Sequence, residues 1–578
     1  MWSTRARQPA TSLVAVSRRL PRTGRSIGLQ WRRNYASNAR HSPGQSPSSS
    51  SWFWNSLGLA GTGTAAFLIY SYATKSDEFE SPVSPKAKDF SPTPGELGSQ
   101  YVQKKRSVKS PGVYVWGTNS YRVVDPDSKE SVIKTPRRLA YFDGQVLRDL
   151  KLTDKSGAAI DEKGDLVQWG KGYSESHYKP TKTLTGKNLA SLCMSNDRIL
   201  ALAADGKVYS VPIAEADQLS GKKPKEGSWI PFWSGSSGLS YRVLQPSLKL
   251  GEKITAIRGG LEHALLLTSS GRVFSVAAST ESYPSFGQLG VPGLTWATRP
   301  KGPVDTCHEV KALSGSKIVD IAAGDYHSLA LSKDGSVFAF GDNSLGQLGM
   351  MFDPSLPFFD APTLLPVKNL YKGDIWFPKV TGIAAGGANS FLTVDAKRIV
   401  GSGENPSTIR DLDRVTADTW ACGRGIWGAL GNGKWTHIQD APTKVKALSG
   451  LFEYDEQSKT LSPIRLRDIA VGTTHVSAVM DNKVHMKPSP TTSLNESDDW
   501  GYDALWWGGN EHFQLGTGKR SNMSKPTYIN APPGDEKEDE EARLQIMPRH
   551  KAKAGSRTVS MEQRVVCGRH VSAIYSSV

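Results

Sequence analysis

One segment of this chain returns in degraded form along most of its length: Asp325-Tyr326-His327-Ser328, then Asp334-Gly335, then Phe340-Gly341, then Gly346-Gln347-Leu348-Gly349. Gly260, His263 and Gly271 recur 64 residues later as Gly324, His327 and Gly335, and Gly287 to Gly290 repeats the terminal Gly-Gln-Leu-Gly. That ending reappears, altered, as Gly428-Ala429-Leu430-Gly431 and Phe513-Gln514-Leu515-Gly516. Cys422-Gly423 and Trp507-Gly508 precede these copies at the offset of Phe340-Gly341. A sequence with this self-similarity folds as repeats that bury their faces only against neighbours.

Each unit reads as four short strands. Ile318 to Ala322 and Ser328 to Leu331 are apolar runs split by a glycine-containing turn, Asp334-Gly335 marks a hairpin, and Val337 to Phe340 supplies a third strand before a weaker fourth. Four strands per repeat predict an all-β propeller. Weaker copies extend the count: Lys163-Gly164 leads to Trp169-Gly170, and residues 191–211 carry Asp205-Gly206 with Arg198 in the place of the histidine. Val565 to Ile574 reads as the first half of a unit and Gly112 to Asn119 as a second half. Six internal units plus this composite closing blade predict a seven-bladed ring without an open blade interface.

These motifs resemble the regulator-of-chromosome-condensation repeat family. Its units carry a Gly-x-x-His-Ser turn, an Asp-Gly hairpin, an aromatic-Gly pair and a Gly-Gln-Leu-Gly end, and the resemblance covers about residues 111–578. The glycines and histidines that carry it are Gly260, His263, Gly324, His327, Gly335, Gly349, Gly431, Gly472, His475 and Gly516. Because His263, His327 and His475 fill one position per unit, and Asn389 replaces the histidine in another, they read as turn-stabilising residues bonded to local backbone rather than as catalytic groups.

The first hundred residues differ in composition. Residues 1–51 hold nine arginines, no lysine and no acidic residue, which suits a mitochondrial presequence better than a basic arm for nucleic acid. The run Arg33-Asn34-Tyr35-Ala36-Ser37 resembles a matrix processing site, predicting cleavage between Tyr35 and Ala36. Setting residues 1–51 aside reduces the formal charge from +16 to +7, spread over a long domain, too diffuse to argue for DNA.

Residues 52–73 contain no charged side chain and, as a helix, would extend roughly 33 Å, enough for a single membrane span; a buried apolar segment is the competing reading. The expected layout is presequence 1–35, a short basic and serine-rich segment 36–51, a transmembrane helix 52–73, a Ser/Pro-rich tether 74–110 and a propeller 111–578 with inserted loops. Arg40 on one flank and Lys75, Asp77, Glu78 and Glu80 on the other orient the propeller toward the intermembrane space, on a small charge difference.

An inserted loop sets Trp229, Phe232 and Trp233 beside Lys222, Lys223 and Lys225, either as a partner-docking surface or as a cap over the ring. The acidic run 534–543 reads as a solvated loop. Four scattered cysteines, without Cys-x-x-Cys spacing, read as packing residues. No phosphate loop, His-Glu-x-x-His or Gly-x-Ser-x-Gly motif points to an enzyme, and no cofactor or metal is expected. The layout resembles fungal mitochondrial inner-membrane members of the repeat family linked to respiratory complex III assembly. That resemblance implies a non-enzymatic scaffold whose partners are respiratory subunits or assembly intermediates. Two other readings stay open: exchange factor or regulator for a mitochondrial GTPase, since the family includes exchange factors, and a matrix regulator of RNA or translation.

Overall fold

The computed structural model describes residues 107, 110–224, 238–455, 459–482, 501–530, 543–554 and 557–578. They fall within one compact unit, 80–578; the unit 1–79 lies outside the description. Successive antiparallel strands form blade sheets in chain order. In the 318–364 sheet, Ile318–Ala323 pairs with His327–Ser332, which pairs with Val337–Asp342, which pairs with Phe358–Leu364. The 189–243, 254–309 and 376–444 sheets repeat this order, and the 466–527 sheet adds the short strand Gln545–Ile546. A two-stranded ribbon, 452–463, lies between the last two.

These five sheets are discrete blades. The expected count of seven is corrected, because the remaining strands join in one nine-stranded sheet. Leu147 pairs in parallel with Ser577, and the Val578 amide donates to the Leu147 carbonyl at 3.1 Å, so hydrogen bonding runs from Val571–Ser577 into Leu147–Leu152 without a break. Within this sheet Val113–Thr118 is paired along its length with Val571–Ser577. The chain termini of the domain are thus zipped together.

The expected transmembrane helix is corrected as well: among the described residues no helix is long and apolar enough to cross a membrane, a statement that does not bear on strands. The expected span 52–73, the Tyr35/Ala36 cleavage site and most of the tether lie outside the described residues.

The core lies between blades. Leu265 and Leu267 of one blade pack with Ile318, Ile321, Ala330 and Phe340 of the next, and Leu200 and Leu202 pack with Ile254, Leu266 and Phe274. The terminal repeat glycine belongs to this packing. A Cβ at Gly516 would lie 2.8 Å from Trp116 Nε1, and one at Gly431 would lie 2.8 Å from Trp507 Nε1. Both indoles donate into the same turn from the following unit, Trp116 to the Gln514 carbonyl at 2.9 Å and Trp507 to the Ala429 carbonyl at 2.7 Å. The aromatic-Gly pair of one unit and the Gly-x-Leu-Gly or Phe-x-Leu-Gly ending of another are therefore two halves of a single interface.

Candidate docking face and central channel

The inner strands surround a central cavity of about 1020 Å³. Six of them break register at one equivalent place: Leu147/Asp149, Leu189/Ser191, Ile254/Ala256, Ile318/Asp320, Val380/Gly382 and Leu466/Asp468. A bulge of this kind re-aims a side chain and frees a backbone amide. Asp149, Asp320 and Asp468 each accept the amide of the following residue at 2.9 Å, which explains an aspartate at that position. Desolvation by burial against the channel walls raises the Asp320 carboxyl above its usual range, opposed by Arg258 and by the Ile321 amide. Asp468 is raised by the same cause, opposed by its following amide and by Lys151, Arg564 and Arg258. The signal of this bulge in the sequence is the recurring aspartate before an aliphatic residue in Arg148-Asp149-Leu150, Val319-Asp320-Ile321 and Arg467-Asp468-Ile469, which the glycine and histidine repeat pattern does not include.

The repeated histidines sit at one end of the channel, fully buried, and the structure revises their bonding. Their rings do not turn back to local backbone. Nε2 of His263 meets Ser328 Oγ at 2.8 Å, that of His327 meets Ser390 Oγ at 2.8 Å, and that of His475 meets Ser572 Oγ at 2.7 Å. These serines donate to the carbonyls of Gln288, Gln347 and Gln514. With its single proton committed there, each serine accepts from the imidazole, so Nε2 carries the ring proton. Nδ1 is buried without a hydrogen-bond partner among the described residues. Burial lowers all three histidines to about 3. A Cβ at Gly324 would approach His327 Nδ1 to 2.4 Å, which accounts for the Gly-x-x-His spacing.

In the closing sheet Gly117 pairs with Val571 as Gly341 pairs with His327. Val571, rather than His570, therefore occupies the histidine position in this sheet. His570 instead faces His512, with ring centroids 4.5 Å apart.

The turns carrying these residues are linked around the channel. Asn196 donates to the Leu261 carbonyl at 3.0 Å, Leu261 to Asp325 at 3.1 Å, Asp325 to Gly387 at 2.7 Å and Thr473 to Gly568 at 3.3 Å. On this fixed belt, side chains from neighbouring units meet in pairs: Phe286 with Tyr326 at 5.3 Å, His512 with His570, and Lys155 over Tyr121 at 6.0 Å. Trp427, at the position equivalent to Phe286, lies under Arg424 at 4.2 Å. Burial raises Asp325 to about 6, opposed by Arg569 from the closing turn. The arrangement is a rigid aromatic and ionic platform around the channel mouth, suited to holding a protein surface.

Of the residues singled out in the sequence, Gly260, Gly324 and Gly472 lie at the channel, Gly335 lies in a hairpin at the opposite end, and Gly349, Gly431 and Gly516 lie in the Gly-x-Leu-Gly-type turns. Trp229, Phe232 and Trp233 fall outside the described residues. Burial pushes the thiols of Cys193, Cys307, Cys422 and Cys567 up to about 12, leaving them protonated at neutral pH. Among the described residues, no group of three histidine, cysteine or carboxylate side chains is placed to hold a metal ion.

Residues 318–347 match the family described as the regulator of chromosome condensation (RCC1) repeat. The chain carries this repeat. It is similar to "Protein FMP25, mitochondrial" of Saccharomyces cerevisiae, 26% identical over 451 residues, covering 73% of this chain and 66% of the yeast protein, just under two thirds of its length. It is also similar to the mouse secretion-regulating guanine nucleotide exchange factor, 24% identical over 440 residues, covering 73% of this chain and 79% of the mouse protein. The crystal structure of human WBSCR16 superposes with a TM-score of 0.51 at 18% identity, covering 81% of this chain and 99% of that one. Yeast Prp20p does so with a TM-score of 0.50 at 18% identity, covering 82% and 94%. These two likenesses concern the fold.

Proposed function

We propose that this protein is a non-enzymatic interaction scaffold of mitochondria that serves the assembly of an inner-membrane complex, with respiratory complex III as the first candidate. The observation that carries the scaffold reading is the set of inter-blade hydrogen bonds that links the turns at one channel mouth, with Phe286 against Tyr326, Tyr121 under Lys155 and Trp427 under Arg424 on the same end. Aromatic side chains held on a rigid frame bind a partner surface with little ordering cost. The mitochondrial setting is supported by the likeness to the yeast protein named as mitochondrial and by the arginine-rich composition of residues 1–51. The complex III assignment follows the layout's resemblance to fungal family members.

Depleting the protein and resolving respiratory complexes on native gels tests this reading. Loss of mature complex III with retained assembly intermediates is expected; unchanged complexes would overturn the respiratory assignment. Capturing partners with wild-type protein and with a Tyr121→Ala, Trp427→Ala variant tests the face itself.

A second reading is favoured by the likeness to proteins named as guanine nucleotide exchange factors from mouse and cattle. Here the same platform would grip a mitochondrial GTPase. Accelerated release of labelled GDP from such a GTPase, lost in the Tyr121→Ala, Trp427→Ala variant, would select this reading over the assembly scaffold.

A further inference from the structure

The propeller end opposite the histidine turns carries a different chemistry. Here the Asp-Gly hairpins and the starts of the inner strands meet. A side chain at Gly206, Gly271 or Gly335 would come within 2.8 Å of Lys253 Cβ, 2.9 Å of Lys317 Cγ and 2.7 Å of Lys379 Cγ, respectively. Each lysine stem therefore lies across the hairpin of the preceding blade. Sequential blades place the three in an arc, and Lys333, Lys249 and Lys311 stand in the hairpin and connecting segments at the same end.

All six lysines are exposed, and among the described residues none forms an ion pair. The nearby acids are mostly engaged: Arg272 binds Glu252 and Glu309, each at 2.7 Å, and Lys249 and Lys311 stand near Glu309 without pairing with it. Asp205, Asp334 and Asp374 are the exposed carboxylates of this sector, and Asp205 is paired with Lys207 at 2.7 Å. Two apolar side chains project from the same end. Leu250, beside Lys249, is fully exposed, and Phe377, two residues before Lys379, is 57% exposed.

We infer that this lysine arc, with Leu250 and Phe377 at its edge, docks the propeller peripherally onto a bilayer surface carrying anionic phospholipid. Flexible ammonium groups without a fixed partner suit a diffuse anionic plane. Each lysine near such a surface strengthens partition about fivefold, and exposed apolar tips enter the boundary between headgroups and acyl chains. Duplex or single-stranded nucleic acid is a poorer fit, since the arc has lysines rather than forked guanidinium groups and one exposed aromatic rather than a stacking row. The inference is independent of which protein occupies the opposite face, and it directs that face away from the membrane.

The test uses the full chain with Leu250→Cys labelled by a polarity-sensitive fluorophore, the equally labelled parent chain supplying the background from Cys307 and Cys567. Vesicles of phosphatidylcholine alone are compared with vesicles of phosphatidylcholine and phosphatidylserine. The label should shift to the blue only with the anionic vesicles, lose the shift in high salt, and show none when placed at Met351, an exposed residue of a loop at the opposite end. Because the readout is local to residue 250, binding through residues 1–79 does not produce it. Replacing Lys253, Lys317 and Lys379 with Glu, all at exposed positions, should weaken the anionic-vesicle partition read at residue 250 about a hundredfold or more. An unshifted label, an equal shift on neutral vesicles, or an unchanged partition in the charge-reversed variant would overturn the proposal. A lysine-dependent shift with duplex DNA and none with vesicles would overturn it in favour of nucleic acid.

Discussion

The three buried histidines make the fold sensitive to acid, and His327→Asn isolates one of them. The imidazole is neutral in the folded protein down to about 3, whereas in the unfolded chain it takes a proton near its ordinary value of about 6.5. Below about 6.5 the unfolded state binds one more proton than the folded state, so stability is fully present above that pH and is lost as pH falls toward 3. Each pH unit in this window corresponds to about 1.4 kcal/mol for one histidine, so moving from pH 7 to pH 5 costs about 2 kcal/mol at His327 alone.

Asp325 acts in the opposite sense. Raised to about 6, it takes its proton in the folded state first and offsets part of the loss between about pH 6 and pH 4. The raw pH profile therefore mixes groups, and a comparison with the variant separates them. Asn is the natural replacement because Asn389 already fills the equivalent position, pairing with Gly423 as His327 pairs with Gly341. Urea unfolding of both proteins at pH 7 and pH 5 should show the wild type losing about 2 kcal/mol more than His327→Asn across that interval, even though the variant starts less stable. Equal losses in the two proteins would refute the assignment of a neutral, buried His327.

Three further outcomes bear on the same architecture. Gly516→Ala, which drives a Cβ into the Trp116 indole at a backbone φ of +72°, should destabilise the domain by at least about 1–2 kcal/mol in urea unfolding. Deleting residues 565–578 removes the partner of Val113–Thr118 and should abolish the cooperative thermal transition, whereas an unchanged melt would count against closure through the chain ends. Replacing Trp229, Phe232 and Trp233 with Ala should reduce partner recovery from mitochondria while leaving the melting temperature in place; equal recovery would make that cluster a cap.

The parts of the fold that were legible in the sequence are those each unit repeats. Gly324, His327, Gly335 and Gly341 mark turn and strand positions because their backbone and packing demands are local or shared with an adjacent unit. What the sequence could not supply was connectivity across units. The parallel Leu147 to Ser577 bridge joins residues from opposite ends of the chain through one backbone pair, with no side-chain signature, and it turned an expected pair of blades into a nine-stranded sheet. The serine partners of the histidines were hidden for the same reason. Ser328, Ser390 and Ser572 lie 63 to 97 residues from the rings they meet, and in the closing sheet only strand register places Val571, not the adjacent His570, at the histidine position.

The same repeat grammar explains why the two ends of the propeller can differ so much in chemistry. Positions that meet the next blade, such as Phe340 against Gly290 or Trp507 against Gly431, are fixed by close packing and leave little choice of side chain. Positions that face outward at the turns carry no such constraint. On the histidine end they have become Phe286, Tyr326, Trp427 and Arg569, beside an Asp325 carboxyl that burial raises to about 6. On the hairpin end they have become Lys253, Lys317, Lys333 and Lys379. A lysine laid across a glycine hairpin adds nothing to the interface that its aliphatic stem alone would not supply, so packing does not require the charge in each of three consecutive blades. A solubilising role would be met as well by mixed signs. Six unpaired lysines that outnumber the exposed Asp205, Asp334 and Asp374, next to two exposed apolar tips, make a surface organised toward an anionic plane, and a charge-reversed arc that still placed residue 250 in lipid would break that chain of reasoning at its first step.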